Sequence, residues 1–396
     1  MKSKKNIKSI AFVLLALMLG ISFVIGAVVS SRFGSLKAET SDFDAKGETS
    51  TYAKAMAVIE ADSGRLLYQK NCNEQLAMAS TTKIMTALVA VNSGLDFDEV
   101  FKVDPKSVGI EGTSLYLRKN EEKTLKELLY GLMLPSGNDA AVAIACRVAG
   151  SEEEFVKLMN KQAKDLGLKN TSFANPHGLD AENHYTSAYD LAIITAEAMK
   201  NDLFREIVST KNVRVSGNDE VQAKLLKNKN KLLWNLDGCE GVKTGFTDNA
   251  KRCFVSSTKR DNMRVICVVL NCGPMFEETA RLTNMAFENY KNYNLLGSYT
   301  PSNDVKVEKG VKDSVETFSI RHFSFPLTYE EYNKVEYKLD LPSSIEAPVE
   351  KEQKLGKIEI SLDGKVLFTE DVYATEEVKS TKFFDKIEQI VDYWNL

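Results

Sequence analysis

At 396 residues the chain has room for two to three domains of about 150 residues each and for a sizeable core. With 43% hydrophobic and 27% charged residues, and only 22 Gly and 8 Pro, a mainly disordered chain is excluded. A balance of 51 basic against 55 acidic residues leaves a net charge of −4 and no electrostatic footprint for nucleic acid, while six cysteines without a C-x-x-C pair and three histidines argue against a disulfide scaffold, a metal site or any cofactor.

Lys2, Lys4, Lys5 and Lys8 precede a charge-free run from Ser9 to Ser31. A basic stretch followed by an apolar one is an export signal, so residues 1–31 place the remainder outside the cytoplasm. The apolar part, Ile10 to Val29, is long enough to span a bilayer, which leaves an uncleaved anchor as the alternative to cleavage after Ser31 or Ala38. Residues 32–50, rich in Ser, Thr, Asp and Lys, read as a flexible leader.

Residues 51–296 read as one α+β domain. Ala55–Ala61 and Arg65–Gln69 are β-leaning runs around a turn at Asp62-Ser63-Gly64. Helical spacing then dominates, at Thr82–Val91, Leu125–Leu134, Asp139–Val148, Glu152–Leu166 and Ser187–Met199. Ser151 and Glu154 have the spacing of a capping box. Strands follow at Asn212–Ser216, Gly241–Phe246, Arg252–Ser257 and Arg264–Leu270, and a helix at Phe276–Tyr290. Strands flanking a block of helices, with hairpin connections late in the chain, make the α+β class. Residues 297–373 alternate at strand spacing around turns such as Asp363-Gly364, and read as a small all-β domain. In 374–396, Phe383, Phe384, Ile387, Ile390, Val391 and Trp394 fall on one helical face opposite a polar one of mixed sign. Such a helix suits a membrane interface or a dock on its own domain.

A chain with three histidines is poorly equipped for a Ser-His-Asp triad, so a serine with a lysine base is the candidate chemistry. In Ser80-Thr81-Thr82-Lys83, a helix beginning at Ser80 would bring Lys83 onto the same face as the hydroxyl. Ser256-Ser257-Thr258-Lys259 repeats the pattern, but on a strand, where i and i+3 point to opposite faces. Ser136-Gly137-Asn138 lies at a break between two helical runs, where a turn can push a hydroxyl and an amide into a cleft; Ser216-Gly217-Asn218 repeats it as a plain hairpin turn. Lys243-Thr244-Gly245 occurs once, on a strand, where it can hold a carboxylate and let a substrate backbone lie close.

Taken together, Ser80-x-x-Lys83, Ser136-x-Asn138 and Lys243-Thr244-Gly245 resemble the active-site set of penicillin-binding proteins and serine β-lactamases. Asn175-Pro176-His177-Gly178 and Leu232-Leu233-Trp234 narrow the resemblance to the low-molecular-weight D-alanyl-D-alanine carboxypeptidases over residues 50–295. The resemblance implies a transpeptidase-like catalytic domain, a C-terminal β domain and a membrane-interface helix at 374–396. It also implies removal of the terminal D-alanine from peptidoglycan stem peptides through an acyl-enzyme, with β-lactams as acylating inhibitors. Ser80 would be the nucleophile, Lys83 its base and Ser136 a proton relay. Asn138, Lys243, Thr244, Gly245 and Phe246 would bind substrate, with the Ser80 and Phe246 N–H groups as oxyanion donors.

Three points stand apart from that pattern. Where many members carry an arginine at the start of the helix after the last core strand, this chain has Pro274-Met275-Phe276-Glu277, and Lys229 is the candidate substitute cation. His177 and His184 read as loop residues. Cys239, Cys253, Cys267 and Cys272 read as small buried hydrophobes, with a Cys239–Cys253 disulfide left open. A class A β-lactamase would need a glutamate over the site, and Glu152-Glu153-Glu154 instead leads an amphipathic helix. The alternative from another class is a membrane-tethered wall-binding or β-lactam-sensing protein that hardly turns over.

Overall fold

In the computed structural model, which describes residues 43–45, 47–216, 223–297, 300–301 and 303–381, the alternating runs near the start form the expected hairpin. Ala55–Glu60 (β1) and Leu66–Lys70 (β2) pair antiparallel across the Asp62-Ser63-Gly64 turn. The export segment, the first part of the leader, the tip at 217–222 and the stretch 382–396 lie outside the described residues.

The helical block comprises Lys83–Val91 (α1), Leu125–Met133 (α2), Asn138–Ala149 (α3), Glu152–Asp165 (α4), Ala188–Ala198 (α5) and Asp202–Ser209 (α6). Every residue of α1 is buried, as a helix apolar on all sides requires. Periodicity did not single out α6, nor the short hairpin of Val100–Lys102 with Glu122–Thr124. The box expected at α4 is half formed: Ser151 accepts from the Glu154 N–H at 3.2 Å, but the Glu154 carboxylate is taken by Lys157 at 2.6 Å. A reciprocal box closes instead between Thr124 and Glu127 at α2.

Cys239–Thr247 (β3), Lys251–Arg260 (β4) and Met263–Leu270 (β5) are consecutive antiparallel strands in a sheet of order β2-β1-β5-β4-β3. Both faces are covered. In β5, Ile266, Val268 and Leu270 pack toward the helical block, while Val265, Cys267 and Val269 pack toward Leu282 and Ala286 of Met275–Asn289 (α7). The topology leaves β3 at the sheet edge, open beside the helical block.

Beyond α7, Lys291–Leu296 (β6) pairs with Phe323–Leu327 (β7), and Val335–Asp340 (β8), Lys354–Leu362 (β9) and Lys365–Ala374 (β10) build most of a second sheet. The only helix in this region, among the described residues, is the single turn Tyr329–Tyr332. The end of the leader is packed, not free. Phe43 meets Phe325 edge-on at 5.9 Å, and its carbonyl accepts from the buried Arg65 Nε at 2.8 Å. Arg65 also donates to the Pro326 carbonyl and pairs with Glu331 at 2.5 Å, so the β1–β2 turn is tied to the C-terminal region.

All six cysteines are free. Cys253 opposes Gly245, six residues along β3 from Cys239, so the two thiols lie about 20 Å apart and cannot bridge. Cys253, Cys267 and Cys272 are buried hydrophobes, with burial pushing their thiols up to about 11 or 12, whereas Cys239 is only half-buried.

Candidate active site

Ser80 sits in a 3-10 turn, Ala79–Thr82, that runs directly into α1. The flanking hydroxyls tie it down: Thr81 Oγ1 donates to Met78 O at 2.6 Å and Thr82 Oγ1 to Ala79 O at 2.8 Å. Ala79 holds a left-handed φ of 49°, a conformation costing an alanine about 1–2 kcal/mol and typical of strained functional sites. Lys83 begins the helix proper, and its Nζ lies 2.9 Å from Ser80 Oγ, 2.7 Å from Asn138 Oδ1 and 2.5 Å from the His177 carbonyl.

Those three contacts decide what Lys83 can do. The amine is fully buried, and burial first, then the charges of Lys243 and Lys229, holds its pKa well below the usual lysine range. A neutral amine has two N–H donors and one lone pair. The Asn138 and His177 oxygens can only accept, so they take the donors; the lone pair is left for the Ser80 hydroxyl, the one neighbour that can donate.

Ser136 lies in the turn between α2 and α3 with φ 77°, a second strained non-glycine residue. Its Oγ accepts from Lys243 Nζ at 2.9 Å, and the same ammonium donates to the Thr244 carbonyl at 2.8 Å. Burial, then the charge of Lys229, lowers the Lys243 pKa to about 7. Asn138 is held by its Nδ2 on Glu111 O at 2.6 Å and its N–H on Thr113 O at 2.7 Å. The neighbouring Asp139 is wholly buried and accepts from Ser114 Oγ, Leu115 N and Leu117 N at 2.6–3.0 Å, stapling the 111–117 loop against the site. Sequence reading missed this loop. The available signal was an acid immediately after Ser136-Gly137-Asn138, whose burial would demand donors from elsewhere.

Two glycines let the walls close. A Cβ on Gly245 would stand 3.1 Å from the backbone nitrogens of Ser80 and Thr81, so β3 lies directly against the Ser80 turn. Gly178 has φ 92°, and a Cβ there would meet the Ala79 carbonyl oxygen at 2.0 Å. That close approach is what brings the His177 carbonyl to Lys83.

A cleft of about 440 Å³ opens above this cluster, lined by Ser80, Ser136, Thr244, Gly245 and the exposed Phe246 of the expected set. Lys83, Asn138 and Lys243 are each at most 4% exposed and sit one layer beneath its floor. Thr113, Lys229, Arg252, Met275 and Phe276 complete the wall. The wall at Met275 and Phe276 is therefore apolar, with Lys229 on the same wall.

The repeated pattern at 256–259 stays apart: Ser256 is fully buried in the sheet and Lys259 is exposed. The strands flanking 217–222, Asn212–Val215 and Lys224–Lys227, pair as a hairpin, although Gly217 and Asn218 themselves lie outside the described residues. His184 bonds the Thr82 hydroxyl at 2.8 Å and accepts the Ala174 N–H at 2.9 Å; burial lowers it to about 4 and His177 to about 3. Both are neutral loop residues, so the 3.6 Å approach of Glu152 to His177 is no ion pair at neutral pH. Among the described residues no group of three His, Cys, Asp or Glu could hold a metal, and no helix is long and apolar enough to cross a membrane.

Residues 42–273 match the family model described as D-alanyl-D-alanine carboxypeptidase, and residues 290–380 match that of the penicillin-binding protein 5 C-terminal domain. The chain is 39% identical over 351 residues to the D-alanyl-D-alanine carboxypeptidase DacF of Bacillus subtilis, covering 86% of this chain and 90% of that protein. It is 32% identical to DacA of Escherichia coli K12, covering 87% of each. Among solved structures, penicillin binding protein 5 of Haemophilus influenzae superimposes with a TM-score of 0.70 at 28% identity, over 85% of this chain and all of that one.

Proposed function

We propose, for a chain that belongs to the D-alanyl-D-alanine carboxypeptidase family and is a serine-type hydrolase of that specificity, that Ser80 is the nucleophile and Lys83 its general base. The observation that carries this is the buried Lys83 amine, 2.9 Å from Ser80 Oγ with its other two directions occupied by acceptors. Ser80 attacks the carbonyl between the two terminal D-alanines of a peptidoglycan stem peptide while Lys83 takes the hydroxyl proton. The C–N bond breaks, the amine of the leaving D-alanine collects a proton through Ser136, and water later hydrolyses the Ser80 ester. Lys243 supports Ser136 as relay by donating to its oxygen.

The developing oxyanion would sit at the N–H groups of Ser80 and Phe246, where the contact of Gly245 with the Ser80 turn brings the two segments together. Thr244 and Phe246, from the strand edge, would align the substrate, with Asn138 holding Lys83 from below. β-Lactams would acylate the same hydroxyl. Export by residues 1–31 and attachment to the outer membrane face by 374–396 complete the proposal; the amphipathic spacing from Phe383 to Trp394 supports the second.

Release of free D-alanine from a diacetyl-Lys-D-Ala-D-Ala peptide tests the reaction, and Ser80→Ala should release none. No turnover by the wild type would reject it in favour of a wall-binding or sensing role. Deleting 375–396 should move a signal-cleaved protein from the membrane to the soluble fraction; unchanged partitioning would reject the anchor.

A further inference from the structure

We propose that Arg252 is the side chain that reads the terminal carboxylate of the substrate and so sets the preference for chain ends. The inference rests on the reading of the Ser80 cleft as the acylation site. A peptide ending in a free carboxylate needs a partner that remains cationic at working pH and still has N–H groups to offer. Besides Lys83, the base itself, the cleft and the layer beneath it present three basic side chains.

Lys243 meets neither requirement well: it is 1% exposed, its pKa is lowered to about 7, and it already donates to Ser136 and to the Thr244 carbonyl. Lys229 is exposed on the cleft wall, but desolvation lowers its pKa from the ordinary lysine value. Arg252 differs from Lys243 in its exposure and free donors, and from Lys229 in offering a planar two-pronged donor with a charge that burial does not weaken. It lines the cleft with Thr244 and Phe246, its side chain is exposed, and among the described residues none is paired with its guanidinium. A guanidinium keeps its charge throughout the pH range in which proteins fold, and its planar fork matches a carboxylate with two parallel bonds.

The strand register explains how it gets there. Arg252 pairs with Phe246 across β3 and β4, which puts it on the sheet face that carries Thr244, opposite the face from which Lys243 and Gly245 meet the helical block. Its neighbours on the cleft wall, Met275 and Phe276, are apolar and supply no competing anion. An amidated or extended peptide brings no charge to this point. The arrangement therefore favours cleavage of the last residue only.

The test compares wild type, Arg252→Gln, Arg252→Lys and Lys229→Gln. The second-order rate of acylation by benzylpenicillin and by its methyl ester is followed by mass spectrometry, together with kcat/KM for the D-Ala-D-Ala peptide. Arg252→Gln should slow the free acid and the peptide about ten- to hundredfold, the range for a charge-assisted hydrogen bond, and leave the methyl ester within about twofold. Arg252→Lys should recover part of the loss. Equal slowing of acid and ester would assign Arg252 a packing role and overturn the proposal, as would a loss that follows Lys229→Gln instead. Failure of both compounds to acylate the wild type would instead remove the acylation-site reading itself.

Discussion

At residues 80–83 the pattern Ser-x-x-Lys winds through a 3-10 turn into α1, whereas at 256–259 the same pattern runs along β4. In the first place the two side chains meet at 2.9 Å, the lysine fully buried and the serine at the floor of the cleft. In the second they point to opposite faces of a sheet, the serine into the core and the lysine to solvent. The difference teaches that the pattern carries chemistry only when its element has the period that superimposes i and i+3, and when the lysine is desolvated enough to lose its proton.

The largest effect that could break this comparison is at the serines. Ser80→Ala should reduce D-alanine release to the assay floor, roughly 10⁴-fold or more, while Ser256→Ala stays within about twofold. A comparable loss in both would mean that the activity tracks folding, not the turn. At the lysines, Lys83→Met should slow acylation by about 10²- to 10⁴-fold, the usual contribution of a general base, and Lys259→Met hardly at all. Because burial holds the Lys83 pKa well below the usual lysine range, wild-type acylation should reach its plateau well below pH 10 and fall as the pH is lowered further and the amine regains its proton. A rate that keeps climbing toward pH 10 would show a base with an ordinary lysine pKa.

The support of the turn is the next thing to disturb. Gly178→Ala puts a methyl group 2.0 Å from the Ala79 carbonyl at a backbone φ that alanine resists, so the 175–178 loop must retreat and take the His177 carbonyl away from Lys83. We expect a stability loss of about 1–3 kcal/mol by denaturant unfolding, with a fall in acylation rate larger than the unfolded fraction explains. Retained acylation in a destabilised variant would show that the carbonyl is not needed to aim the amine.

Legibility in the sequence followed the same division. The helices other than α6 and the three core strands are readable because their apolar residues recur at 3.6 or 2, Ser80 and Lys83 because helical spacing puts i and i+3 on one face, and Ser136 because its motif falls at a break between two helical runs. What escaped depends on contacts made by backbone. The His177 carbonyl on Lys83, the 111–117 loop held by Asp139 and the ordering of Phe43 under Phe325 have no periodic signature. Arg252 escaped for another reason: its place in the cleft follows from the β3–β4 register, and register is set by the hairpin, not by the residues near Arg252.

A slope spread over several pH units sharpens the comparison in energetic terms. Burial lowers the Lys243 pKa to about 7 from an ordinary value of 10.5. Between those limits the unfolded chain holds a proton that the folded chain has released, so the unfolded state binds more protons and stability rises with pH; below about 7 both states are protonated and the slope vanishes. Subtracting the curve of Lys243→Met from that of wild type removes tyrosines and cysteines that titrate in the opposite sense. The difference should rise by up to about 1 kcal/mol per pH unit from 7 to 10.5, read by urea unfolding at each pH. A flat difference would mean that Lys243 stays protonated in its pocket, and its ammonium rather than Arg252 would then be the stronger partner for a substrate carboxylate.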